Sequence, residues 1–562
     1  MESLLRDTIF NGLKRKSTRK CSLWAENYRK IKGTPWSFRR APWTREVHDI
    51  NCDEWYAQKS AQMGFTETVM NVCFFSIDQL GQDVLYVLPT ESPDATDFSV
   101  TRCNPAIEES EHLSSMFNQK NNVGLKQAGN CSLYIRGSRS RNSLKSVPVS
   151  KVILDEVDEF DQAAISLARE RLGGNIHTTI AGISTPSIPD WGINKLFEDT
   201  TQDHFFFKCP HCSRFTELTY PECLVIQCDD HTYYSIESSL TSEQALSEFD
   251  IKDPSIRKSH LICKECHHPL DHESKQDWLY EGFWKSNFSN RNAKGFYINQ
   301  LYSITQEPYK IAIHAIKAED DVVEQKEFYN SKLGLPIIPK GSVITDENIQ
   351  EAYSNYKNRS FLDRSSFLTI GVDVGTWLHC IVLKWQFDPS ISDMNDAGFP
   401  QVAYIEKFSN FNEIIGLIKE IRPRGGVIDA QPERRSALTV ARMFPGIIFT
   451  CFYNESRTRE ISSTNKNPLD PIDTITADRT SWLDQSLGRF RSGKIKIPMD
   501  TPKEFKDHLM NLVRSPERNQ YGETIFRYKR RGDDHYAQAL NYAELGLAVC
   551  SGIGAPKNID WS

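Results

Sequence analysis

Short apolar runs and longer amphipathic stretches alternate through the first half of the chain. The stretch 68–80 has the apolar spacing of a helix. The apolar runs are short and are bounded by polar or turn-forming residues, which predicts buried strands. These predicted strands lie at 55–58, 83–88, 132–137, 152–154 and 178–183. Strands that alternate with helical stretches in this way are typical of a doubly wound parallel sheet.

One of these predicted strands runs directly into two acids, Asp155 and Glu156. Open α/β sheets place their ligands at the carboxyl ends of the strands, where this pair would emerge. One carboxylate can hold a magnesium ion on ATP, and the next can orient the attacking water. The alternative is an ordinary strand followed by a solvated acidic turn.

The segment 59–67, between the first predicted strand and the helix, has the position and rhythm of a Walker A phosphate loop. A phosphate bound there would meet the N–H groups at the start of the helix. The segment departs from the pattern G-x-x-x-x-G-K-[ST], because Phe65 follows Gly64 and Lys59 stands where the first glycine is expected. Just upstream, the stretch from Trp36 to Trp43 offers aromatic rings that either stack on adenine or pack in the core.

Three acid-bearing segments recur in the second half of the chain. Asp373 lies in the predicted strand at 367–375, Asp429 ends the strand at 426–430, and Asp534 is in the first turn of a predicted helix. Acids in this order suggest an RNase H-like nuclease, in which carboxylates gather around two divalent ions. Basic residues between and beside these acids predict a DNA phosphate track: Arg434, Arg435, Arg457, Arg459, Arg489, Arg491, Lys494, Lys496, Arg527, Lys529, Arg530 and Arg531.

Two Cys-x-x-Cys pairs lie between these regions. They consist of Cys209 with Cys212 and Cys263 with Cys266. Four thiolates of this kind predict a zinc ribbon with a closed, structural, tetrahedral site. The gap between the pairs exceeds the usual ~15–20 residues, which predicts a loop insertion. The alternative is a set of reduced, metal-free cysteines.

Composition narrows the class of protein. At 562 residues the chain is too long for one core, so several domains are expected. We find no apolar window long enough for a membrane span and no signal-peptide pattern, and we therefore expect a cytoplasmic protein without membrane contact. The net charge of −7 means that any nucleic acid must be met by local basic patches.

The order of phosphate loop, Asp155–Glu156 strand and Ser184-Thr185-Pro186 turn resembles the large terminase subunit of tailed bacteriophages, the ATP-driven motor that packs DNA into a capsid. The likeness extends from about residue 36 to 547. It is to the lambda-type, GpA-like branch, in which the P-loop lysine is displaced to the start of the loop, as Lys59 is here. The cysteine knuckles and the order of acids in the second half resemble the same branch.

The resemblance implies an ATP and magnesium site in the first half. Asp155 would bind magnesium, and Glu156 would be the catalytic carboxylate. The phosphate and magnesium contacts would come from Lys59, Ser60, Gln62, Gly64 and Thr66. Terminase motors also use an arginine finger, for which Arg136, Arg139 and Arg141 are candidates.

For the second half, the resemblance implies a nuclease centre that uses Mg²⁺ or Mn²⁺. Asp373, Asp429 and Asp534 would be the ligands, with Asp533 as a fourth candidate. His535 beside them either supports a ligand or has a structural role.

The expected fold class is α/β: a P-loop ATPase domain with a parallel sheet and an inserted zinc ribbon, followed by an RNase H-like nuclease domain. The expected boundaries are a basic segment at 1–35, the ATPase at 36–336 with the ribbon at about 204–270, a connector at 337–365, the nuclease at 366–550 and a tail at 551–562.

The expected function is ATP-driven translocation of double-stranded DNA into the procapsid, with metal-dependent endonucleolytic cutting of concatemeric DNA. The resemblance implies a small terminase subunit and the portal or procapsid as partners, and a homo-oligomeric ring during packaging. It also implies a protein of the host cytoplasm that is absent from the mature virion. The alternatives are a zinc-ribbon helicase or restriction-type DNA translocase and a DNA-binding scaffold with decayed catalytic sites.

Overall fold

The short apolar runs become the central strands of two separate sheets in the computed structural model. One sheet belongs to unit 1 (Met1–Pro339) and the other to unit 2 (Lys340–Ser562). The residues that the structure describes are 19–118, 120–139, 144, 145, 147–228, 231–234, 250–339, 341–363, 366–388, 390, 397–454, 461–463, 473–518 and 524–552.

Seven parallel strands form the centre of the unit 1 sheet. They are β1 (Glu54–Lys59), β2 (Val84–Leu88), β3 (Cys131–Gly137), β4 (Lys151–Asp155), β5 (Thr179–Ser184), β6 (Asp203–Lys208) and β7 (Lys294–Ile298). Their spatial order is β6-β7-β1-β5-β4-β2-β3, and every neighbouring pair is parallel. Short antiparallel strands extend both edges: Lys120–Asn122, Leu125–Ala128, Phe215–Thr216 and Phe283–Ser286.

Apolar side chains cover both faces of this sheet, which explains why its strands read as continuous apolar runs. In β4, Ile153 packs into one core cluster, whereas Val152 and Leu154 pack into a second cluster on the other face. The described α-helices of unit 1 are Cys21–Tyr28, Thr44–His48, Phe65–Leu80, Thr96–Phe98, Asn104–Glu108, Glu111–Met116, Ala163–Arg169, Gly192–Glu198, Lys275–Leu279, Pro308–Asp320 and Val322–Lys326.

A small antiparallel sheet lies between β6 and β7 in sequence. Its strands are Leu224–Cys228, His231–Tyr234, His260–Ile262 and Pro269–Leu270. The first cysteine pair precedes this sheet in the chain, since Cys209 directly follows β6, and the second pair, Cys263 with Cys266, lies between its strands His260–Ile262 and Pro269–Leu270. The part of the predicted loop insertion at 235–249 lies outside the described residues.

Unit 2 has a mixed sheet. Its main strands are β8 (Leu368–Val374), β9 (Leu378–Phe387), β10 (Gly398–Phe408), β11 (Gly425–Asp429), β12 (Ile448–Asn454) and β13 (Thr474–Asp478). Their order is β10-β9-β8-β11-β12-β13, with antiparallel pairing among β10, β9 and β8 and parallel pairing from β8 to β13. Ser462–Ser463 adds an antiparallel edge, and Leu512–Arg518 with Thr524–Arg530 forms a separate hairpin.

Helices pack on this second sheet. The described α-helices are Asp346–Ala352, Phe411–Ile421, Arg434–Met443, Arg479–Arg491, Lys503–Met510 and His535–Gly552. The last helix crosses β8 so closely that a Cβ atom at Gly371 would lie 2.1 Å from both Ala539 O and Ala543 N. Glycine at this position therefore lets the segment from Ala539 to Ala543 of the helix lie directly on β8.

The predicted α/β fold class is confirmed: a parallel-sheet unit precedes a second α/β unit. The segment 337–365, predicted as a polar connector, contains the helix Asp346–Ala352, and Ile344, Ile349 and Ala352 are buried in a core cluster of unit 2. None of the helices within the described ranges combines the length and the apolar character needed to cross a bilayer.

Candidate active sites

The loop after β1 is held in place by later parts of unit 1. Ser60 N donates to Ile298 O at 2.9 Å, and Ala61 N donates to Ser331 O at 2.8 Å. The loop then turns through Gly64, whose φ of 82° is in the left-handed region that favours glycine, into the helix Phe65–Leu80. This geometry matches the predicted phosphate loop, with its N–H groups at a helix start.

Lys59, the last residue of β1, meets the acidic strand end. Its Nζ lies 3.4 Å from Glu156 Oε1 and 3.4 Å from Thr185 Oγ1, although the lysine is almost completely buried. Glu156 follows β4 in a left-handed conformation (φ 62°), and its N–H donates to Ile183 O at 2.9 Å. The lysine, the acid and the Ser184-Thr185-Pro186 turn are thus brought to one edge of the sheet.

Asp155 lies beside them and is buried. Its Oδ2 accepts a hydrogen bond from the hydroxyl of Tyr86 at 2.6 Å, and its Oδ1 has no hydrogen-bond partner within the described part of the chain. Burial and the negative charge of Glu156 raise the pKa of Asp155 to about 6, although Lys59 opposes the shift. A buried carboxylate oxygen without a partner is the donor that a divalent cation would satisfy.

A cavity of about 360 Å³ opens above this edge. The cavity is lined by the loop residues Lys59, Gln62, Gly64 and Thr66, by Glu156, and by Arg102 and Thr185. Ser60 is buried, and its hydroxyl is among the described polar groups that have no partner. Sequence reasoning missed Arg102 and Tyr86, because neither follows a recognisable motif.

Of the two alternatives for the stretch from Trp36 to Trp43, Trp43 takes the core position. Trp43 is 2% exposed, and its indole N–H donates to Met63 O at 2.9 Å, so the ring supports the phosphate loop from the core. The half-buried Trp36 lines a second cavity, of about 270 Å³, together with Pro35, Gln62 and Ile304, and Trp43 also lines this cavity. Trp36 is therefore the more exposed of the two tryptophan rings beside the loop.

The arginine-finger candidates differ in their surroundings. Arg136 donates from Nη1 to Gly124 O at 2.6 Å and to Ile135 O at 2.9 Å, which ties it to its own unit. Arg139 is exposed. Arg141 lies outside the described residues.

The two cysteine pairs converge. The sulfur atoms of Cys209, Cys212, Cys263 and Cys266 all lie within 4.8 Å of one another, and Cys209 Sγ is 3.9 Å from Cys266 Sγ. Four sulfur atoms bound to a single tetrahedral ion at ~2.3 Å would lie about 3.8 Å from one another, close to the distance between Cys209 Sγ and Cys266 Sγ.

The two knuckles also have the same backbone turn. Ser213 N donates to Cys209 O at 2.9 Å, and His267 N donates to Cys263 O at 2.8 Å. Ser213 and His267, each four residues after the first cysteine of its pair, both have a φ near 60°. Each of these equivalent turns therefore directs its two thiols toward the same point.

In unit 2, neighbouring strands bring two predicted acids together. Val372 pairs with Ile428 between β8 and β11, so the next residues, Asp373 and Asp429, are neighbours at the same edge of the sheet. Burial and the negative charge of Asp373 raise the pKa of Asp429 to about 7. Burial likewise raises the pKa of Asp373. Close, partly desolvated carboxylates of this kind are stabilised by divalent cations.

The remaining predicted residues lie at the start of the helix His535–Gly552. Asp534 is buried, and its Oδ2 accepts from Gln538 Nε2 at 2.7 Å and from Arg479 Nη2 at 3.2 Å. Asp533 is exposed. His535 Nδ1 lies 2.8 Å from Asp373 Oδ2. His379, which sequence reasoning missed, joins Asp373 and His535 in a group whose potential ligand atoms lie within 4.8 Å of one another.

The prediction that Arg489 belongs to a DNA phosphate track is wrong. Arg489 is buried, and its Nε donates to Glu544 Oε1 at 2.8 Å, so it is part of the core of unit 2. Arg457 and Arg459 lie outside the described residues. Arg527 and Lys529 lie on the hairpin and pair with Glu517.

Comparisons with solved structures find large terminases. The HK97 bacteriophage large terminase is 9% identical, with 94% of this chain and 99% of that chain covered and a TM-score of 0.49. A second large terminase, from a thermophilic bacteriophage, is 10% identical, with 91% and 98% covered and a TM-score of 0.31. The large terminase nuclease of thermophilic phage G20c is 16% identical, with 36% and 96% covered and a TM-score of 0.23. No curated protein matches this chain.

Two family models match the sequence. Residues 31–284 match the phage terminase large subunit gpA, ATPase domain, and residues 293–388 match the terminase large subunit gpA, endonuclease domain. The second match begins within unit 1 and ends just after β9. Together the matches cover more than half of the chain with two domains of one family, in the expected order. The chain therefore belongs to the gpA family of phage terminase large subunits, the DNA-packaging enzymes that combine an ATPase with an endonuclease.

Proposed function

We propose that ATP is hydrolysed at the edge of the unit 1 sheet where Lys59, Asp155 and Glu156 meet. The observation that carries this proposal is the position of Lys59 Nζ, 3.4 Å from both Glu156 Oε1 and Thr185 Oγ1. A lysine displaced to the start of the loop therefore reaches the place where the lysine of a Walker A loop would act. The cavity above it is lined by the loop itself.

Each group at this edge has a distinct role. The loop N–H groups and Lys59 bind the phosphates, and Ser60 and Gln62 complete the loop around them. Asp155 and Thr66 would hold magnesium, which neutralises negative charge on the phosphates. Glu156, whose side chain is 44% exposed, orients the attacking water, and Thr185 contacts the terminal phosphate.

The adenine ring fits the apolar cavity beside Gln62, where Trp36 offers one face and Ile304 offers aliphatic surface. The finger that acts on a neighbouring copy of the chain is Arg139, which is exposed as such a role requires. Arg102, which lines the phosphate cavity and lies 3.5 Å from Glu67, would act within its own chain.

We further propose that DNA is cut at Asp373, Asp429 and Asp534, with Asp533 as a fourth candidate ligand. The raised pKa values of Asp373 and Asp429 fit a site that carries divalent cations. Mg²⁺ or Mn²⁺ held there would activate water and stabilise the leaving oxygen of the phosphodiester. Arg479, which donates to Asp534, keeps that carboxylate oriented.

The four cysteines bind one structural Zn²⁺. Two identical turns present their thiols to a common point, and four thiolates leave no open coordination position. This ion stabilises the region at about 204–270 and takes no part in catalysis.

A terminase large subunit acts with DNA and with the procapsid and its portal in the infected host cell. For this chain we propose double-stranded DNA as substrate, a small terminase subunit as partner and a homo-oligomeric ring during packaging. The proposed location is the host cytoplasm, with no place in the mature virion. The proposed domain boundaries remain those predicted from the sequence.

Replacement of Glu156 by Gln tests the ATPase assignment. Glu156→Gln should bind ATP as the wild type does and lose at least about 100-fold in turnover, because general-base catalysis contributes on this scale. Nucleotide affinity and phosphate release are measured in parallel. Glu170→Gln, a change of the same chemistry at an exposed position, is the control. Wild-type turnover in Glu156→Gln would refute the assignment.

A further inference from the structure

A short stretch of unit 1, residues 299–305, links the proposed ATP site to the region of the cysteine pairs, and we call it the bridge segment. It directly follows β7. On its nucleotide side, Gln300 Nε2 donates to Ala61 O of the phosphate loop at 2.9 Å. Its residues 303–305 line the cavity of about 270 Å³ that is proposed for adenine. The bridge segment is therefore one wall of that cavity and also a support of the loop.

The other side of the bridge segment is hydrogen-bonded to residues that follow the two cysteine pairs in the chain. After the first pair, Leu218 N donates to the Tyr302 hydroxyl at 2.8 Å, and Asn299 Nδ2 donates to Leu218 O at 2.8 Å. After the second pair, Lys275 Nζ donates to Ser303 O at 2.9 Å. Both cysteine pairs are thus followed by a residue that holds the wall of the nucleotide cavity.

Lys275 is buried at a cost in stability. The residue is 1% exposed, and burial alone lowers the pKa of its ammonium group to about 7, with no opposing carboxylate. A methionine of similar length would fill the same space without this desolvation cost. Stability therefore does not explain a lysine at this position. What the lysine supplies, and a methionine cannot, is the N–H donor to Ser303 O.

The helix Lys275–Leu279 is fixed on its other side. Leu279 is completely buried, and the Trp278 ring packs against the Phe207 ring with centroids 4.7 Å apart. Phe207 lies in β6, the strand that leads into the first cysteine pair. Because the helix is held by β6, its hydrogen bond to Ser303 O fixes the position of the bridge segment.

We propose that Lys275 is a positioning residue for ATP, which holds the bridge segment against the nucleotide cavity and so sets the affinity for ATP without contacting it. The inference rests on the proposed ATP site. Loss of the donor would leave the Ser303 carbonyl unpaired, and the segment would shift to regain a partner. Lys59 and Glu156, at the edge where hydrolysis is proposed, would keep their positions. Binding of ATP should therefore weaken while the rate of the chemical step is retained.

The test replaces Lys275 by methionine in the full chain. Lys275→Met should raise the KM for ATP and the Kd of a non-hydrolysable ATP analogue at least about fivefold, the effect of one lost buried hydrogen bond, and change kcat less than about twofold. Amide hydrogen exchange should become faster in the bridge segment and not throughout unit 1. Lys258→Met, the same replacement at an exposed lysine between the cysteine pairs and the helix, is the control.

A second variant tests the other contact of the bridge segment. Tyr302→Phe removes the hydroxyl that accepts from Leu218 N and keeps the ring. It should weaken ATP binding in the same direction as Lys275→Met, again with little change in kcat. This variant carries the test if Lys275→Met fails to fold.

Several results would overturn the inference. Wild-type affinity for the ATP analogue in folded Lys275→Met, or in Tyr302→Phe if the first variant does not fold, would show that the bridge segment does not set ATP binding. Faster exchange throughout unit 1 would assign Lys275 to general stability. Either result, combined with lost turnover in Glu156→Gln, would refute the inference and leave the proposed ATP site intact. Wild-type turnover in Glu156→Gln would refute the ATP site itself.

Discussion

The negative charges of the carboxylates are balanced in different ways in the two proposed sites. In unit 1, Asp155 and Glu156 are met by a cation of the protein, since Lys59 Nζ lies 3.4 Å from Glu156 and opposes the rise in the pKa of Asp155. In unit 2, the nearest partner of Asp373 is the imidazole of His535, and Asp429 has a pKa raised to about 7. A site with its own lysine can organise phosphates that arrive with magnesium. In the proposed nuclease centre the arginine contact, from Arg479, is made to Asp534, and Asp373 and Asp429 would rely on bound cations to act together.

The largest effect should come from the centre that lacks a lysine. Asp373→Asn removes one negative charge and nearly keeps the shape, and we expect DNA cleavage to fall by at least about 1,000-fold because ligands of a metal centre act as one unit. ATP turnover should be retained. Cleavage of plasmid DNA and phosphate release measure the two activities, and Asp388→Asn, at a partly exposed position, is the control. Full cleavage by Asp373→Asn would contradict the role of Asp373 in the proposed nuclease centre.

The cysteine cluster differs from both proposed catalytic sites, because a metal bound there would have only a structural role. Cys209→Ser should lose zinc, about one ion per chain in the wild type, and should lower the melting temperature of unit 1. Metal analysis and calorimetry measure both. Cys52→Ser, which can keep the hydrogen bond to Glu54 O, is the matched control. A wild-type protein purified without chelator that contains no zinc would contradict the proposed site.

The sequence predicts some residues of these sites but not others. Asp155, Glu156, Asp373 and Asp429 could be located because an acid that ends an apolar run is a local signal. His379 could not, because it meets Asp373 only through the antiparallel register of β8 and β9.

Tertiary packing also decided the cases that failed. Trp36 and Trp43 are equivalent in sequence, but only Trp43 has its indole N–H turned to the loop and its ring in the core. Arg489 was predicted as part of a basic track. It is buried instead, because it pairs with Glu544, which lies 55 residues later in the sequence.

A smaller effect is expected at the edge of the proposed ATP site. Trp36→Ala should raise the KM for ATP about fivefold to tenfold with little change in kcat, because an aromatic contact of this kind contributes about 1 kcal/mol to binding. Trp36→Phe should recover most of the affinity. Steady-state kinetics measures both constants, and an unchanged KM would place the adenine ring elsewhere.

The contrast between the centres depends most on Lys59. ATP turnover by Lys59→Ala, measured at saturating Mg²⁺, is the direct test, with Lys310→Ala on an exposed helix face as the control. The account predicts a loss of at least tenfold, or at least ~1.4 kcal/mol, that added Mg²⁺ does not restore. Wild-type turnover in Lys59→Ala, or full recovery with Mg²⁺, would contradict it.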